Sequence, residues 1–169
     1  MRASMARGLP VLDFVDAHDG QAVIVGGGPS LASTLDELRW RASLGQTIFA
    51  CNGAGRFLLD NGIAPDSVVI LDARPENAAF LIPGHHFLAS HCDPSLFART
   101  VNATIYHANT AGVDAGIGGG QHILISTGST VGLVAIGIAH VLGFRTFHLY
   151  GMDSSYTGEH HAYPQAMND

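Results

Sequence analysis

Five short segments hold the residues that can do chemistry. Gly26-Gly27-Gly28-Pro29-Ser30 places three glycines ahead of a proline and a hydroxyl. Glycines let backbone N–H groups approach an anion closely, and a helix starting just after them adds partial positive charge. Ser30 either caps that helix or binds a phosphate oxygen, and a plain tight turn has the same spacing. Ser126-Thr127-Gly128-Ser129-Thr130 is a second such cradle, four hydroxyls around one glycine ahead of an apolar run. Ordinary capping by one hydroxyl is its alternative. Two cradles in one chain favour a diphosphate or nucleotide over two isolated caps.

Asn52, in Cys51-Asn52-Gly53, can hydrogen-bond a base or ribose, or cap a helix. Asp72 and Asp153 can each hold a magnesium ion bound to phosphates, orient an acceptor hydroxyl, or cap the next turn. Arg74 can fork onto a phosphate or pair with Asp72. Tyr156 can donate to a leaving phosphate or simply pack. His160 and His161 lie in a polar tail where a histidine can serve as general base, or adjacent to a metal. With ten histidines in the chain, most must be structural or exposed.

The first turn is not a dinucleotide fingerprint. Gly26 and Gly28 supply two of its glycines, but Leu31 stands where the third belongs. Cys51-Asn52 replaces the acidic residue that would clamp an NAD ribose. An NAD(P) oxidoreductase is therefore disfavoured.

Strands must carry these turns. Apolar runs at Gln21–Gly26, Thr47–Cys51, Ser67–Leu71, His86–Ala89, Thr104–Tyr106, His122–Ile125 and Thr146–Tyr150 read as short strands, and Val68-Val69-Ile70-Leu71 reads as buried on both faces. Leu31, Leu35 and Leu38 recur at helical spacing within Leu31–Ser43. A short helix carries Phe57, Leu58 and Leu59 up to Asn61-Gly62, a helical turn spans Pro94–Arg99, and a long apolar helix runs from Val131 to Leu142 with Gly143 as its cap. Ala111–Gly120 reads as a loop and Gly151–Asp169 as irregular. Strands alternating with helices predict a doubly wound, mostly parallel α/β sheet in three layers, with residues 1–20 as an extension and 21–169 as one domain. In such a sheet the ligand lies beyond the carboxyl ends of the strands, where all these polar turns fall.

Composition narrows the classes. Of 169 residues, 47% are hydrophobic and 13% are charged, about half the usual share of roughly 25%. Net charge is -6, which excludes a strongly basic nucleic-acid binder. No lysine occurs, so P-loop phosphate capture and Schiff-base catalysis are absent. Two cysteines, Cys51 and Cys92, are too few for a disulfide framework. No apolar stretch reaches the roughly 18 residues of a membrane span. The expected setting is soluble and cytoplasmic, and the apolar, weakly charged surface suggests a homodimer.

Val23-Ile24-Val25-Gly26-Gly27-Gly28-Pro29-Ser30-Leu31 resembles the opening Gly-x-Gly-Pro-Ser-Leu of the MptE-like family. That family includes archaeal 6-hydroxymethylpterin diphosphokinase and the central domain of the motility accessory factor (Maf) glycosyltransferases. Ala50-Cys51-Asn52 resembles a Cys-Asn of the distantly similar bacterial sialyltransferases. Gly128-Ser129-Thr130-Val131, Leu142-Gly143, Leu149-Tyr150-Gly151-Met152-Asp153, Ser155-Tyr156 and His160-His161-Ala162 resemble the family's later blocks. The resemblance runs from about Gln21 to Ala162, with a poorly matched middle between Pro75 and Gln121.

The resemblance implies a Rossmann-like domain and a nucleotide-dependent transferase. One version passes a diphosphate from ATP, with magnesium, to a pterin-like alcohol. The other passes a glycosyl group from a sugar nucleotide such as a CMP-sugar. Residues matching Gly26 to Ser30 and Asn52 would touch the nucleotide, and His160 or His161 would be the base. Relatives usually continue beyond the tail histidines, so an acceptor-binding segment would lie outside this sequence. A non-catalytic nucleotide-binding or scaffold module is the rival reading.

Overall fold

The structure is a computed structural model describing residues 8–100, 102–109, 122–126, 128 and 130–153. Seven strands, β1 (Gln21–Val25), β2 (Thr47–Cys51), β3 (Ser67–Ile70), β4 (His85–Ala89), β5 (Ala103–Ala108), β6 (Leu124–Ile125) and β7 (Thr146–Tyr150), form one sheet. Every pairing is parallel, and the order is β6-β5-β4-β3-β2-β1-β7. The fold is Rossmann-like α/β, as expected from the alternating elements.

The apolar strand runs are explained by burial on two sides. In β1, Ala22 and Ile24 join a cluster with Val134, Ala135, Ile138 and Ala139 of helix α4 (Val131–Val141). Val23 and Val25 join Leu38 of helix α1 (Leu35–Ser43) and Ala54 and Leu58 of helix α2 (Ala54–Asp60). The period of two along a strand sends neighbours to opposite faces. Because both faces are covered, no polar alternation marks the strand.

Strand order gives the two helix layers their sides. From β1 to β6 each strand lies beside its predecessor, one step further along the sheet. The chain then returns to place β7 on the free side of β1. Right-handed crossovers in opposite directions put their helices on opposite faces. Thus α4 crosses back over β1, β2 and β3, on the face away from α1 and α2.

Several elements differ from the sequence expectation. The segment expected as one helix from Leu31 begins as a 3-10 helix, Pro29–Thr34, and becomes α-helical at Leu35. Proline at its first position fits a helix start, where its missing N–H costs nothing. A second 3-10 helix, Pro75–Phe80, follows β3, and helix α3 (Pro94–Arg99) is capped by Asp93, which accepts from Ser95 N at 2.9 Å. β6 is only two residues long. The outer edge of β5 is shared: Val11 bridges Ile105, while β6 pairs with His107 and Ala108. The described part of the extension is therefore stitched to the domain, with Leu12 N bonded to Ile105 O at 2.8 Å and Val15 N to Val141 O at 2.9 Å.

Among the described residues no helix is long and apolar enough to cross a membrane. Both cysteines are buried free thiols, pushed by burial up to about 12, which leaves them unreactive.

His86 is 2% exposed, and burial holds its imidazole below the ordinary histidine range. His85 is shifted the same way for the same reason. The unfolded chain takes up protons at these residues near pH about 6.5, before the folded chain does. Stability is therefore full above that pH and is lost as pH falls below it. Thermal melts followed by circular dichroism should show Tm dropping between about pH 7 and pH 5.5, with a shallower drop in His86→Gln.

Candidate functional site

Strand order reverses between β1 and β7, the place where open α/β sheets bind ligands. There the turn after β1 and the turn after β7 run into each other. Gly26 N donates to Tyr150 O and Gly28 N to Gly151 O, each at 2.8 Å. A Cβ on Gly26 would collide with the Gly151 carbonyl oxygen, and one on Gly151 with that of Gly26. Gly151 also has a φ of +60°, left-handed backbone that favours glycine. A Cβ on Gly28 would lie 2.5 Å from Asp153 Oδ2. The glycines are thus required by close backbone approach.

Asp153 completes this clasp. Its carboxylate accepts from Ser30 N at 2.7 Å and from Ser30 Oγ at 2.6 Å. Ser30 does not cap the helix with its side chain: its two donors are held by the chain's own Asp153 carboxylate. Both side chains are exposed to solvent.

Met152 ties the second cradle to the first. A Cβ on Gly132, in the first turn of α4, would strike the Met152 thioether, and one on Gly26 would come within 3.1 Å of its sulfur. The start of α4 therefore lies beside the clasp. Thr130 caps α4, accepting from Leu133 N at 3.4 Å, so the ordinary capping role holds for this hydroxyl. Gly128 has a φ of +50° with the Leu133 side chain against it. Thr127, Ser129, Tyr156, His160 and His161 lie outside the described residues.

One strand over, Asn52 follows β2 with a φ of 49°, a conformation asparagine tolerates better than most residues. It does not cap α2 with its side chain: the cap position is Gly53, and no side-chain cap bond forms. Its Oδ1 is buried without a hydrogen-bond partner among the described residues. A buried amide oxygen left unpaired costs stability, which a ligand donor would recover.

Asp72, after β3, is exposed, and its carbonyl accepts from Asn77 Nδ2 at 3.0 Å. The ion pairs among the described residues are Arg39–Asp36 and Arg41–Glu37, so Arg74 does not pair with Asp72. β3 lies three strand spacings from β7, about 14 Å at roughly 4.8 Å each. Asp72 and Asp153 are therefore badly placed to share one magnesium ion.

A polar cluster under the clasp escaped the sequence reading. Tyr150 donates to Glu37 Oε1 at 2.5 Å and accepts from Arg41 Nε, while Arg41 Nη2 meets Glu37 at 2.8 Å. The hydrogen bond from Tyr150, then that from Arg41, holds the Glu37 carboxyl below its usual range. Burial, then the bond to Glu37, pushes the Tyr150 phenol up. The cluster braces α1 against the end of β7, directly before Gly151. Glu37 and Arg41 at i, i+4 were visible in the sequence as a helix pair, but nothing there announced the tyrosine.

Replacing Gly151 by alanine should destabilise the fold by about 2 kcal/mol or more, since strain and collision combine. Gly45→Ala, at φ +72° with nothing within 4 Å of the new Cβ, should cost less, about 1 kcal/mol. Asp153→Ala strands two donors of Ser30 and should cost about 1 kcal/mol. Urea denaturation of the three variants checks the ranking.

The sequence matches the family model described as "MptE-like: 6-hydroxymethylpterin diphosphokinase MptE-like" over residues 5–159. No curated protein matches the chain. Among solved structures, the MAf glycosyltransferase from Magnetospirillum magneticum AMB-1 superposes with a TM-score of 0.78 at 23% identity, covering 92% of this chain and 28% of that one. The chain spans less than a third of that glycosyltransferase's length, and at this identity the likeness is one of fold. The family match extends over nearly the whole sequence and includes both turns of the clasp, so the chain belongs to the MptE-like family.

Proposed function

We propose that the chain is a nucleotide-dependent group transferase whose donor binds at the carboxyl ends of β1, β2 and β7. The observation that carries this reading is the glycine clasp at the reversal of strand order, with the unpaired Asn52 Oδ1 at the end of the adjoining strand. The Gly26–Ser30 backbone lies where a phosphate can come close, the start of α4 adds its dipole, and Asn52 is left to accept from the base or ribose.

Ser30 then has two partners to choose from. A phosphate oxygen takes its N–H and hydroxyl, and the Asp153 carboxylate moves off to the acceptor side. Free of Ser30, Asp153 has the chemistry to hold a magnesium ion on the donor phosphates or to orient the acceptor hydroxyl. Magnesium, when bound, would neutralise charge on those phosphates. Asp72, exposed and further along the edge, would hold or position a separate group. The acceptor proton would pass to His161 or His160 of the tail.

Two donors fit this chemistry. ATP would give its diphosphate to a pterin-like alcohol, the activity named by the family description. A sugar nucleotide such as a CMP-sugar would give its glycosyl group, the class of reaction named for the glycosyltransferase of the same fold.

Calorimetric titration with CMP, CDP, ATP and GTP, magnesium present, tests the reading. One nucleotide should bind, and Asn52→Gly, which keeps the left-handed backbone and deletes the amide, should weaken it by about tenfold or more. Silence toward all four nucleotides would overturn the proposal. AMP release from ATP on adding the pterin alcohol, against slow hydrolysis of a sugar nucleotide, then separates the two donors.

A further inference from the structure

The histidines of this fold divide by how their ring nitrogens are spent. His85 uses both, with Ser67 Oγ at 3.1 Å and Thr104 Oγ1 at 3.0 Å. His86 has Ile82 N at 3.4 Å and Thr100 Oγ1 at 3.5 Å. His18 engages Leu142 O and Gly20 N, each at 3.0 Å, and His148 engages Gln21 Oε1 at 2.7 Å. His107 is 0% exposed, yet among the described residues neither of its ring nitrogens has a partner.

His107 lies near the end of β5, and its neighbour is another imidazole. The ring of His122 lies 4.8 Å from that of His107, centroid to centroid, with the planes inclined at 59°. His107 pairs with Leu124, and His122 lies two residues before that partner, just ahead of β6. His122 is only half-buried, which leaves a route to solvent.

We propose that His107 and His122 form a site for a late first-row divalent cation of the zinc class. A zinc–nitrogen bond of about 2.0–2.1 Å puts the metal about 3.2 Å from each ring centre. Two rings on one ion then sit about 4.5 Å apart at a right angle and about 5.2 Å apart at the tetrahedral angle. The observed spacing falls between those limits. Neutral imidazole suits zinc, nickel and copper and is a poor ligand for magnesium or calcium. Among the described residues no third histidine, cysteine, aspartate or glutamate joins the pair, so the remaining positions fall to water or to a bound molecule. The site is four strands along the sheet from β1, about 19 Å at roughly 4.8 Å per strand, and is independent of the nucleotide reading.

The test uses the full chain carrying His160→Ala and His161→Ala, which removes the other candidate pair. Zinc chloride is titrated by calorimetry, and cobalt(II) is added separately as a spectroscopic probe. Saturable binding of one ion is expected, with tetrahedral cobalt bands, and affinity should fall about tenfold or more in His122→Ala and in His107→Phe. His140→Ala, on the exposed side of α4, should leave it unchanged. Absence of saturable binding, or equal binding in His122→Ala, would overturn the proposal and leave the pair as a packed aromatic contact. Should His107→Phe fail to fold, the half-buried His122 position carries the test alone.

Discussion

Two backbone turns, one after β1 and one after β7, approach so closely that a methyl group at any of three positions would part them. Gly26, Gly28 and Gly151 permit that approach, and two main-chain hydrogen bonds continue the strand pairing beyond the sheet's edge. The rest of the site depends on this contact. It brings Asp153 to Ser30 across 123 residues of chain. It lets Met152 reach both Gly26 and the first turn of α4. The apolar packing beneath, with Leu31 fully buried at the base of the turn, keeps the two strand ends from sliding apart.

The clasp also sets an electrostatic condition. Gly-rich turns ahead of a helix attract anions because their N–H groups point at the ligand. In this fold the chain supplies its own anion, the Asp153 carboxylate, to the donors of Ser30. A phosphate at the proposed donor site would compete with this tethered group at high local concentration, so its binding would be coupled to release of Asp153. Such coupling would place a carboxylate at the reacting end of the proposed donor only when that donor is bound.

Among the described residues, several buried polar atoms without partners lie where strands end. Asn52 Oδ1 follows β2, His91 Nδ1 follows β4, and both nitrogens of His107 lie near the end of β5. The sheet interior shows the opposite habit, with Tyr106 donating to Ile70 O at 3.0 Å and His85 bridging Ser67 and Thr104. A fold that satisfies polar groups in its core and strands them at one rim has stability invested in that rim.

The alternation of apolar runs and glycine- or hydroxyl-rich turns determined, without further help, that this chain folds as a parallel α/β sheet with its polar turns on one edge, because burial on both faces leaves inner strands such as β1 to β4 a largely apolar stretch of four or five residues. The start of the helical segment was legible only approximately. Leu31 has helical spacing to Leu35, but the proline at position 29 and local hydrogen bonding hold the first turn in 3-10 form. What only the tertiary structure decided was proximity: which turns meet depends on strand order, and the placement of β7 beside β1 is not written in any local pattern. For the same reason Asp72 is separated from Asp153, and Tyr150 finds Glu37 and Arg41. Pair contacts across more than a hundred residues arise from sheet topology, which the core as a whole selects, and no single segment encodes them.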